Sequence, residues 1–328
     1  MIMNRQTKKR LKITVGVIIL TGLLVLAGVA IRYVSSYNNF LNKISREALP
    51  QEEYAEMEIS EVEVKKEPFA VLISGSDSRQ GVKAKARSDV NIVAVVNPAE
   101  AKILLVSIPR DTYVQLHGTT GLRDKLTHAG IYGINMSKTT IEDFLGIQID
   151  HTIKVSFDTV VKVVDQLDGI EIESDTAMQL AVEGKDKMCN YTVGKQMVDG
   201  DCALRFARER KTYVTGDRHR GENQMQVLAS IIGKLTGAQN YLLRLPTILD
   251  IAADSFETTF LRSDIEDFIG LQLTKQPSWD VKTISVNGTG SMQPTYSMGA
   301  NRPLYVMIPD EASAATATAE IKQYLLSK

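Results

Sequence analysis

Three short apolar runs constrain the fold of this 328-residue chain more than any other feature. Residues 69–74, 90–96 and 102–108 are each the length of one strand and mostly apolar. Such runs are typical of strands buried on both faces of a sheet. The second and third are joined by Asn97-Pro98-Ala99-Glu100-Ala101, a sequence typical of a hairpin turn. A hairpin makes these two strands antiparallel and therefore excludes an all-parallel sheet.

Further strand and helix patterns alternate along the rest of the chain. The other predicted strands cover residues 149–155, 170–172, 281–286 and 304–308. The predicted helices cover residues 137–145 with Ser137 as the cap, 157–167 with Gly169 as the stop, 201–209, 222–235, 241–253 and 311–326. This alternation predicts an α/β fold, specifically an α/β/α sandwich with a mixed central β-sheet flanked by helices, in one domain over residues 68–328.

An uncharged, strongly apolar run at residues 13–31 predicts a transmembrane anchor. At about 1.5 Å per residue such a helix spans about 28 Å, close to the ~30 Å hydrocarbon core of a bilayer. Basic residues precede the run and place residues 1–12 in the cytoplasm: Arg5, Lys8, Lys9, Arg10 and Lys12. We therefore expect a single-pass protein of the cell membrane with its domain outside the cell. A cleaved signal peptide is the competing interpretation, because Gly28-Val29-Ala30 offers small residues for cleavage.

The segment between the anchor and the domain is polar. Residues 32–67 are rich in glutamate, which predicts an extracellular stalk, helical or extended, with its charges on a solvated face. Pro68 marks the boundary with the domain. The stalk is expected to hold the domain away from the membrane.

The charge balance limits the classes of partner. The chain has 38 Lys+Arg and 39 Asp+Glu, a formal net charge of -1. Proteins that bind nucleic acids usually carry a basic excess, so we expect no nucleic-acid partner. Clustered arginines in such a neutral chain indicate a focused pocket instead of a general polyanion-binding surface.

Two aspartates next to predicted strands are candidate metal ligands. Asp77 follows the first strand in a Gly-Ser-Asp-Ser turn, and Asp89 directly precedes the second. If these strands are neighbours, the two carboxylates meet at one edge of the sheet and can share Mg²⁺ or Mn²⁺. The structural alternative makes Asp77 a turn residue and Asp89 a cap at a strand start. Arg79 is a candidate for orienting Asp77.

A set of arginines lies at the ends of other predicted elements. Its members are Arg87, Arg110, Arg208, Arg210 and Arg220, with Gln224 one helical turn after Arg220. Guanidinium groups bind phosphate oxygens bidentately, so the set predicts a phosphate site. A surface ion-pair network is the alternative explanation.

The chain contains two cysteines, Cys189 and Cys202. In an oxidising exterior such a pair is most simply a disulfide that closes a short loop. Binding a metal would need more ligands nearby, and the nearest histidine in sequence is His219. We therefore predict a structural disulfide that braces the segment leading to Arg208 and Arg210.

Seven motifs follow one another in a distinctive order. They are GSDSR (75–79), RSD (87–89), SIPRD (107–111), KLTHAG (125–130), HTIKVSFDTVVKVVDQLDGIEI (151–172), DGDCALRFARERK (199–211) and GDRHRGENQ (216–224). Together they resemble the LytR-CpsA-Psr family of Gram-positive cell envelopes. Two positions depart from the family pattern, Arg205, where a smaller or apolar residue is common, and Asn223, where some members carry an arginine. We expect both to alter the rim and specificity of the pocket.

The resemblance implies a phosphotransferase. Such enzymes move a phosphate-linked glycopolymer (teichoic acid, capsule or another wall polysaccharide) from a polyprenyl pyrophosphate carrier to a peptidoglycan hydroxyl. It implies catalytic roles for Asp77, Asp89 and Arg110, with the metal on both aspartates and Arg110 offsetting charge in the transition state. It implies a pyrophosphate site formed by Arg79, Arg87, Arg110, Arg208, Arg210, Arg220 and Gln224. The apolar helical segments 160–167 and 227–235 are candidates for a prenyl tunnel, with ordinary core packing as the alternative.

Two other classes of function compete with this one. A polyprenyl-pyrophosphate hydrolase or a lipid-carrier-binding protein would need the same phosphate pocket, so the sequence separates these poorly from a transferase. A transcriptional regulator is the least favoured, because no helix-turn-helix pattern is visible and the expected topology places the domain on the wrong side of the membrane for DNA.

Overall fold

A six-stranded mixed sheet forms the centre of the protein, and helices cover both of its faces. The computed structural model describes residues 28, 30–49, 57, 62–76, 86–213, 216–237, 245–253 and 256–327. In chain order the strands are β1 (Phe69–Ser76), β2 (Val90–Asn97), β3 (Lys102–Ser107), β4 (Tyr113–Val114), β5 (Asp124–Lys125), β6 (His151–Ser156), β7 (Ile170–Ser174), β8 (Met178–Ala181), β9 (Met188–Tyr191), β10 (Gly194–Val198), β11 (Phe256–Thr258), β12 (Asp280–Ser285), β13 (Gly288–Thr295) and β14 (Gly299–Pro309). The helices are α1 (30–44), α2 (Leu126–Tyr132), α3 (Ile134–Leu145), α4 (Phe157–Gln166), α5 (Gly200–Ala207), α6 (Gly216–Gly237), α7 (Leu245–Ala253), α8 (Arg262–Lys275) and α9 (Glu311–Leu326).

The directions of the central strands place several strand ends side by side along one border of the sheet, called here the carboxyl edge. The order of the central sheet is β11-β6-β1-β2-β3-β12. Strands β1, β3, β6 and β12 run in one direction, and β2 and β11 run in the other. The carboxyl ends of four parallel strands therefore lie at the same edge as the amino end of β2. The predicted hairpin is confirmed, because β2 and β3 pair in antiparallel register.

Alternate residues of the central strands face two separate hydrophobic cores. Ala70 and Leu72 of β1 pack in the first core, with side chains of α2, α3 and α9. Phe69 and Val71 of the same strand pack in the second core, with side chains of α6 and α8. A strand buried on both faces is apolar at nearly every position, which explains the continuous apolar runs. The predicted mixed sheet with flanking helices is confirmed.

A third hydrophobic cluster lies among shorter elements. Strand β7 pairs with β10, and β8 pairs with β9. Ile170 of β7 and Phe206 of α5 are buried in this cluster. A disulfide joins Cys189 of β9 to Cys202 of α5, with the two Cα atoms 5.4 Å apart. The predicted pairing of the two cysteines is therefore present in the structure.

The described part of residues 32–67 packs against the domain, unlike the stalk that the composition predicts. Leu49 and Met57 are buried in the first core, and Val64 is buried in the second. Arg262 of α8 donates hydrogen bonds to Asn42 and Asn38 of α1, each at 2.7 Å. The glutamate-rich segment thus packs against the domain through apolar residues that occur at intervals along it.

Most of the predicted anchor, residues 13–31, lies outside the described residues. Among the helices that the structure describes, none is both long and apolar enough to cross a membrane.

Some predicted boundaries differ from the structure. Ser137 does not cap its helix, because α3 begins at Ile134 after Gly133, whose φ of 119° suits glycine, and Ser137 is buried inside the helix. Helix α6 begins at Gly216, six residues before the predicted start. The predicted strand at 304–308 is part of the longer β14, which pairs with β13 outside the central sheet. Helices α2 and α8 were not predicted, and neither were strands β4, β5, β8, β9, β10, β11 and β13.

Candidate active site

Four parallel strands of the central sheet end in serine at the same edge. They are Ser76 of β1, Ser107 of β3, Ser156 of β6 and Ser285 of β12. These small side chains leave room for helices to approach the edge closely. A β-carbon on Gly221 of α6 would come within 2.8 Å of the Ser107 hydroxyl oxygen. The early turns of α6 are therefore fixed directly against the end of β3.

Asp89 and Arg110 form an ion pair at this edge. The Nη1 atom of Arg110 donates to Oδ1 of Asp89 at 2.6 Å, and both side chains are about a quarter exposed, at 27% and 24%. The backbone N–H of Asp89 donates to the carbonyl of Gly75 in β1, and the carbonyl of Arg110 accepts from the N–H of Thr127 in α2. Backbone hydrogen bonds to two different elements therefore fix the positions of both residues.

Asp111 is a buried carboxylate surrounded by cations. The ammonium group of Lys125 donates to its Oδ1 at 2.7 Å, and Nε of Arg110 lies 3.6 Å from its Oδ2. Burial raises the pKa of Asp111, but the hydrogen bond from Lys125 and the charges of Lys125, Arg110 and Arg220 outweigh this and hold the pKa below its usual value. Asp111 is therefore ionised at neutral pH and pairs with Lys125 and Arg110.

Arg208 reaches the same edge through an aromatic ring. The guanidinium carbon of Arg208 lies 5.3 Å from the ring centroid of Phe157, the residue that directly follows β6. The Phe157 ring also packs against β1, because a β-carbon on Gly75 would lie 3.3 Å from its Cε1. Stacking on an aromatic face holds a guanidinium in one orientation. Arg208 is thus held beside the carboxyl end of β1, to which the backbone of Asp89 also bonds.

A buried glutamate shapes the turn between Arg208 and Arg210. Glu209 accepts hydrogen bonds from the N–H of Thr212 at 2.9 Å and from its hydroxyl at 3.1 Å. It also pairs with Nη2 of Arg205 at 2.7 Å. Burial raises the pKa of Glu209, but the bonds from Thr212 and the charge of Arg205 lower it further than burial raises it. The ionised Glu209 therefore holds the turn that places an arginine on each side.

The remaining predicted phosphate ligands differ in exposure. Arg220 is buried in the second turn of α6, whereas Arg210 and Arg87 are exposed. Gln224 is half-buried one turn after Arg220. Arg87 is placed by its neighbours, because Gly130 of α2 packs directly against the backbone of Ala86 and Ser88.

The described part of this edge is strongly cationic. It carries Arg110, Lys125, Arg208 and Arg220 near the carboxylates of Asp89 and Asp111. Arg87 is exposed two residues before Asp89, and Arg210 is exposed two residues after Arg208. Positive charge is therefore clustered at this edge of the sheet, although the net charge of the whole chain is -1. Such a concentration attracts a polyvalent anion, and the guanidinium groups suit phosphate oxygens.

The motif order, the mixed sheet and this cationic edge occur together in a sequence that matches the model of the LytR_cpsA_psr family over residues 32–314. The chain belongs to the LytR_cpsA_psr family. The match begins within the segment that packs against the domain, which agrees with the burial of Leu49, Met57 and Val64.

Relatives and solved structures support this assignment. The polyisoprenyl-teichoic acid–peptidoglycan teichoic acid transferase TagU of Enterococcus faecalis is 34% identical over 233 residues, which are 70% of this chain and 73% of that protein. The crystal structure of Bacillus subtilis TagV matches with a TM-score of 0.65 at 28% identity and covers 80% of this chain and 99% of its own. The LytR-CPS2A-psr family protein YwtF (TagT), solved with bound octaprenyl pyrophosphate lipid, matches with a TM-score of 0.59 at 25% identity and covers 82% and 94%.

The predicted metal pair is described only in part. Asp77 and Arg79 lie outside the described residues, and no group of three His, Cys, Asp or Glu residues within the described chain is arranged to hold a metal. Asp89 is a partly exposed carboxylate at the correct edge, which suits a hard cation. Its N–H bonds to Gly75, which is two positions before Asp77 in sequence. The shared metal site remains a prediction that requires Asp77.

Both departures from the family pattern have structural contacts of their own. Arg205 pairs with Glu209, and its Nε donates to the carbonyl of Ala181 in β8 at 3.1 Å. Asn223 is buried and donates to the carbonyl of Phe206 at 3.1 Å. These contacts join α5 to β8, to Glu209 and to α6, so both residues stabilise the segment that carries Arg208 and Arg210.

Two residues of the site were absent from the predicted site residues, Asp111 and Lys125. Both stand in motifs that the sequence displays, SIPRD and KLTHAG. Their pairing across 13 intervening residues depends on β4 and β5, the two-residue strands that bring residues 113–114 beside 124–125. So short a strand pair leaves no periodic signal in the sequence.

Proposed function

We propose that this protein is a phosphotransferase that moves a phosphate-linked glycopolymer from a polyprenyl pyrophosphate carrier to a hydroxyl of peptidoglycan. The observation that carries this proposal is the cluster of arginines and Lys125 around Asp89 and Asp111, in a family whose relatives are named teichoic acid transferases. A diphosphate carries the charge that such a cluster neutralises.

The reaction is a substitution at phosphorus. The acceptor hydroxyl oxygen forms a bond to the phosphorus that bears the polymer. The bond from that phosphorus to the bridging oxygen breaks, polyprenyl monophosphate leaves, and the proton of the hydroxyl is released. The product is a phosphodiester that retains one phosphate of the donor.

The cationic residues bind and orient the diphosphate. Arg208 is held on Phe157, and Arg220 is buried near Asp111, so these two cations are positioned before substrate arrives. Arg87, Arg210 and Gln224 complete the binding of phosphate oxygens from the more exposed side. Arg79 adds to this set and orients Asp77. A preorganised site needs little rearrangement when charge develops during reaction.

Arg110 has the central role. Its guanidinium lies between the carboxylates of Asp89 and Asp111, and backbone bonds fix the loop that carries it. In the reaction it offsets the negative charge that accumulates on the oxygens of the phosphorus under attack. A planar guanidinium bonded on one side to Asp89 can face phosphate with its other N–H groups.

Asp77 and Asp89 would together hold Mg²⁺ or Mn²⁺ next to the diphosphate. A bound divalent cation neutralises phosphate oxygens and stabilises the leaving phosphate. The partly exposed position of Asp89 beside Arg110 supports this role.

The prenyl chain needs an apolar surface beside the cluster. In segments 160–167 and 227–235, Val164 and Val227 pack in the third cluster, and Val163 and Leu167 pack with Ile248 of α7. Core packing accounts for these residues in the structure as it stands. We place the prenyl path between α4, α6 and α7, where the apolar side chains of three helices meet.

A donor tethered to a bilayer also explains the predicted anchor at 13–31. We propose a single-pass membrane protein with its amino terminus in the cytoplasm and its catalytic domain outside. The apolar run with basic residues before it supports this topology.

Purification of the full-length protein from membranes tests the proposal. Lipid extraction and mass spectrometry should detect a polyprenyl phosphate or pyrophosphate bound to the wild type and much less bound to Arg220→Ala. Gln226→Ala on the same helix is the matched control, because Gln226 bonds to Glu173 away from the cluster. Protein that is folded but free of isoprenoid phosphate would contradict the proposal.

A further inference from the structure

The hairpin of β13 and β14 is an unassigned surface that touches the cationic cluster. The N–H of Met307 in β14 donates to the carbonyl of Asp111 at 2.7 Å. At the other end of the hairpin, the N–H of Ser297 donates to Oδ2 of Asp124 at 2.8 Å, and Asp124 is next to Lys125. Both ends of the hairpin are therefore fixed to the loops that hold the site.

One face of this hairpin presents an aromatic ring beside the site. Tyr305 is 49% exposed, and its ring centroid lies 6.0 Å from the ammonium group of Lys125, which itself bonds to Asp111. Met292 is directly opposite Tyr305 in the antiparallel ladder, on the same face, and is 61% exposed. The Tyr305 ring and the Met292 thioether thus form an exposed apolar surface that adjoins the cationic cluster at Lys125.

Gly290 keeps the ring flat on the hairpin. A β-carbon at this position would lie 2.8 Å from both Cε2 and the hydroxyl oxygen of Tyr305. The ring therefore occupies the space that a side chain at residue 290 would fill, and its outer side faces solvent.

The chemistry of the hairpin restricts what can bind there. Residues 288–295 carry no charge, and Arg302 is the single charged residue in β14. A polyanion or an acidic membrane surface would be met by several Lys or Arg residues. An exposed aromatic ring that carries a hydroxyl group and lies beside a thioether suits a ligand with an apolar face and polar edges, which is the character of a neutral pyranose ring.

From these contacts we propose that the β13–β14 hairpin binds the acceptor glycan, with Tyr305 stacked on an N-acetylated hexosamine ring of the peptidoglycan strand. This inference rests on the proposed function. An acceptor hydroxyl has to reach phosphorus beside Arg110, so the acceptor chain must lie on a surface continuous with the cluster. The hairpin meets this condition through Met307 and Lys125.

Two titrations of the full-length protein separate this inference from the proposed function. One uses a tetramer of β-1,4-linked N-acetylglucosamine, and the other uses inorganic pyrophosphate. Tyr305→Ala should weaken tetramer binding by about three- to tenfold, the range of a single aromatic contact, and leave pyrophosphate binding unchanged. Tyr305→Phe should bind the tetramer nearly as the wild type does.

A glycine substitution provides an independent probe with a matched control. Gly290→Ala should displace the Tyr305 ring and weaken tetramer binding without removing the ring. Gly270→Ala in α8 should have no effect, because a β-carbon there meets nothing within 4 Å.

The results distinguish the alternatives. Equal tetramer affinity in the wild type and Tyr305→Ala overturns the inference, as does a wild type that binds pyrophosphate and no tetramer. Failure of the wild type to bind pyrophosphate counts against the proposed function itself. Quenching of a Tyr305→Trp variant, with Trp279→Phe as background, by brominated lipid in nanodiscs would assign the hairpin to the membrane and also overturn the inference.

Discussion

The two ends of the parallel strands surround a buried titratable group differently. At the carboxyl edge, Asp111 is 4% exposed and is kept ionised by Lys125 and two arginines. At the opposite edge, His151 begins β6, is 2% exposed and stacks on Phe260 with ring centroids 3.9 Å apart. Neither ring nitrogen of His151 has a hydrogen-bond partner among the described residues.

The pKa values follow from these surroundings. Burial lowers the pKa of His151 to about 4, the nearby backbone of Thr259 opposes this in part without forming a well-aligned hydrogen bond, and the positive charge of Arg46 adds to the lowering. His151 is thus neutral at pH 7, whereas Asp111 is charged. The comparison teaches that burial depth alone does not set charge, since the carboxyl edge retains ions only where counter-ions surround them.

The largest effect is expected from breaking the pair at the carboxyl edge. Asp111→Asn leaves Lys125 partly buried without its carboxylate and should lower the free energy of unfolding by about 3–5 kcal/mol. Chemical denaturation of both proteins measures this. Adding Lys125→Met should restore part of the loss. An Asp111→Asn variant as stable as the wild type would show that the pairing of Asp111 with Lys125 does not stabilise the fold.

Arg110 should matter for activity much more than for stability. Arg110→Ala should reduce the transfer rate by about 10²- to 10³-fold, because it removes a preorganised donor facing the phosphate. Arg110→Lys should recover little of this, since an ammonium group lacks the planar fork. Full recovery with lysine would mean that Arg110 supplies charge alone.

The opposite edge should respond to acid instead. Because the folded-state pKa of His151 is depressed, the unfolded chain binds the proton first as the pH falls from about 6.5. The wild type should therefore lose about 3 kcal/mol of stability between pH 6.5 and 4 through this residue. His151→Phe, which keeps a ring against Phe260, should lack that loss; identical pH profiles would show that His151 does not titrate as described.

Asp111 should contribute in a lower pH range. Its folded-state pKa is depressed from the usual value of about 3.9, so its stabilisation is present above that pH and is lost as the pH falls through the folded value. The difference between wild type and Asp111→Asn should therefore stay constant from pH 7 to about 5 and shrink below pH 4.

The smallest effect is expected from the disulfide, which is at neither edge. Reduction of the disulfide between Cys189 and Cys202, which are 13 positions apart, should lower the free energy of unfolding by at most about 3 kcal/mol. It should loosen α5 and the turn that carries Arg208 and weaken pyrophosphate binding modestly. A Cys189→Ala/Cys202→Ala variant treated with the same reductant is the control, and an unchanged melting temperature on reduction would exclude a bracing role.

The sequence predicted the parts of the fold that have strong local patterns. Strands β1 to β3 and their hairpin were found because continuous apolar runs and a turn sequence are local features, and the predicted helix at 311–326 matches α9. The β13–β14 hairpin was missed because Gly288, Thr289 and Gly290 show no apolar alternation. Helix α8 was missed because its apolar residues are distributed around the helix without a clear stripe.

The same distinction applies to the candidate site. Arg110, Arg208 and Arg220 were predicted as phosphate ligands from their positions at element ends, and the structure places them at one edge of the sheet or in contact with it. The roles of these residues remain predictions until variants are measured. The Asp111–Lys125 pair depends on tertiary contacts through β4 and β5, which no pattern within either motif reveals.

The central claim is that the cationic edge transfers a phosphate-linked polymer to a hydroxyl. The most direct measurement incubates the full-length protein with a polyprenyl-pyrophosphate-linked teichoic acid precursor and uncrosslinked peptidoglycan, and analyses the products by mass spectrometry. The account predicts a phosphodiester between polymer and peptidoglycan, with one polyprenyl monophosphate released for each link and both products formed about 10²- to 10³-fold more slowly by Arg110→Ala. Release of polymer phosphate into water with no linked peptidoglycan would contradict it and identify a hydrolase.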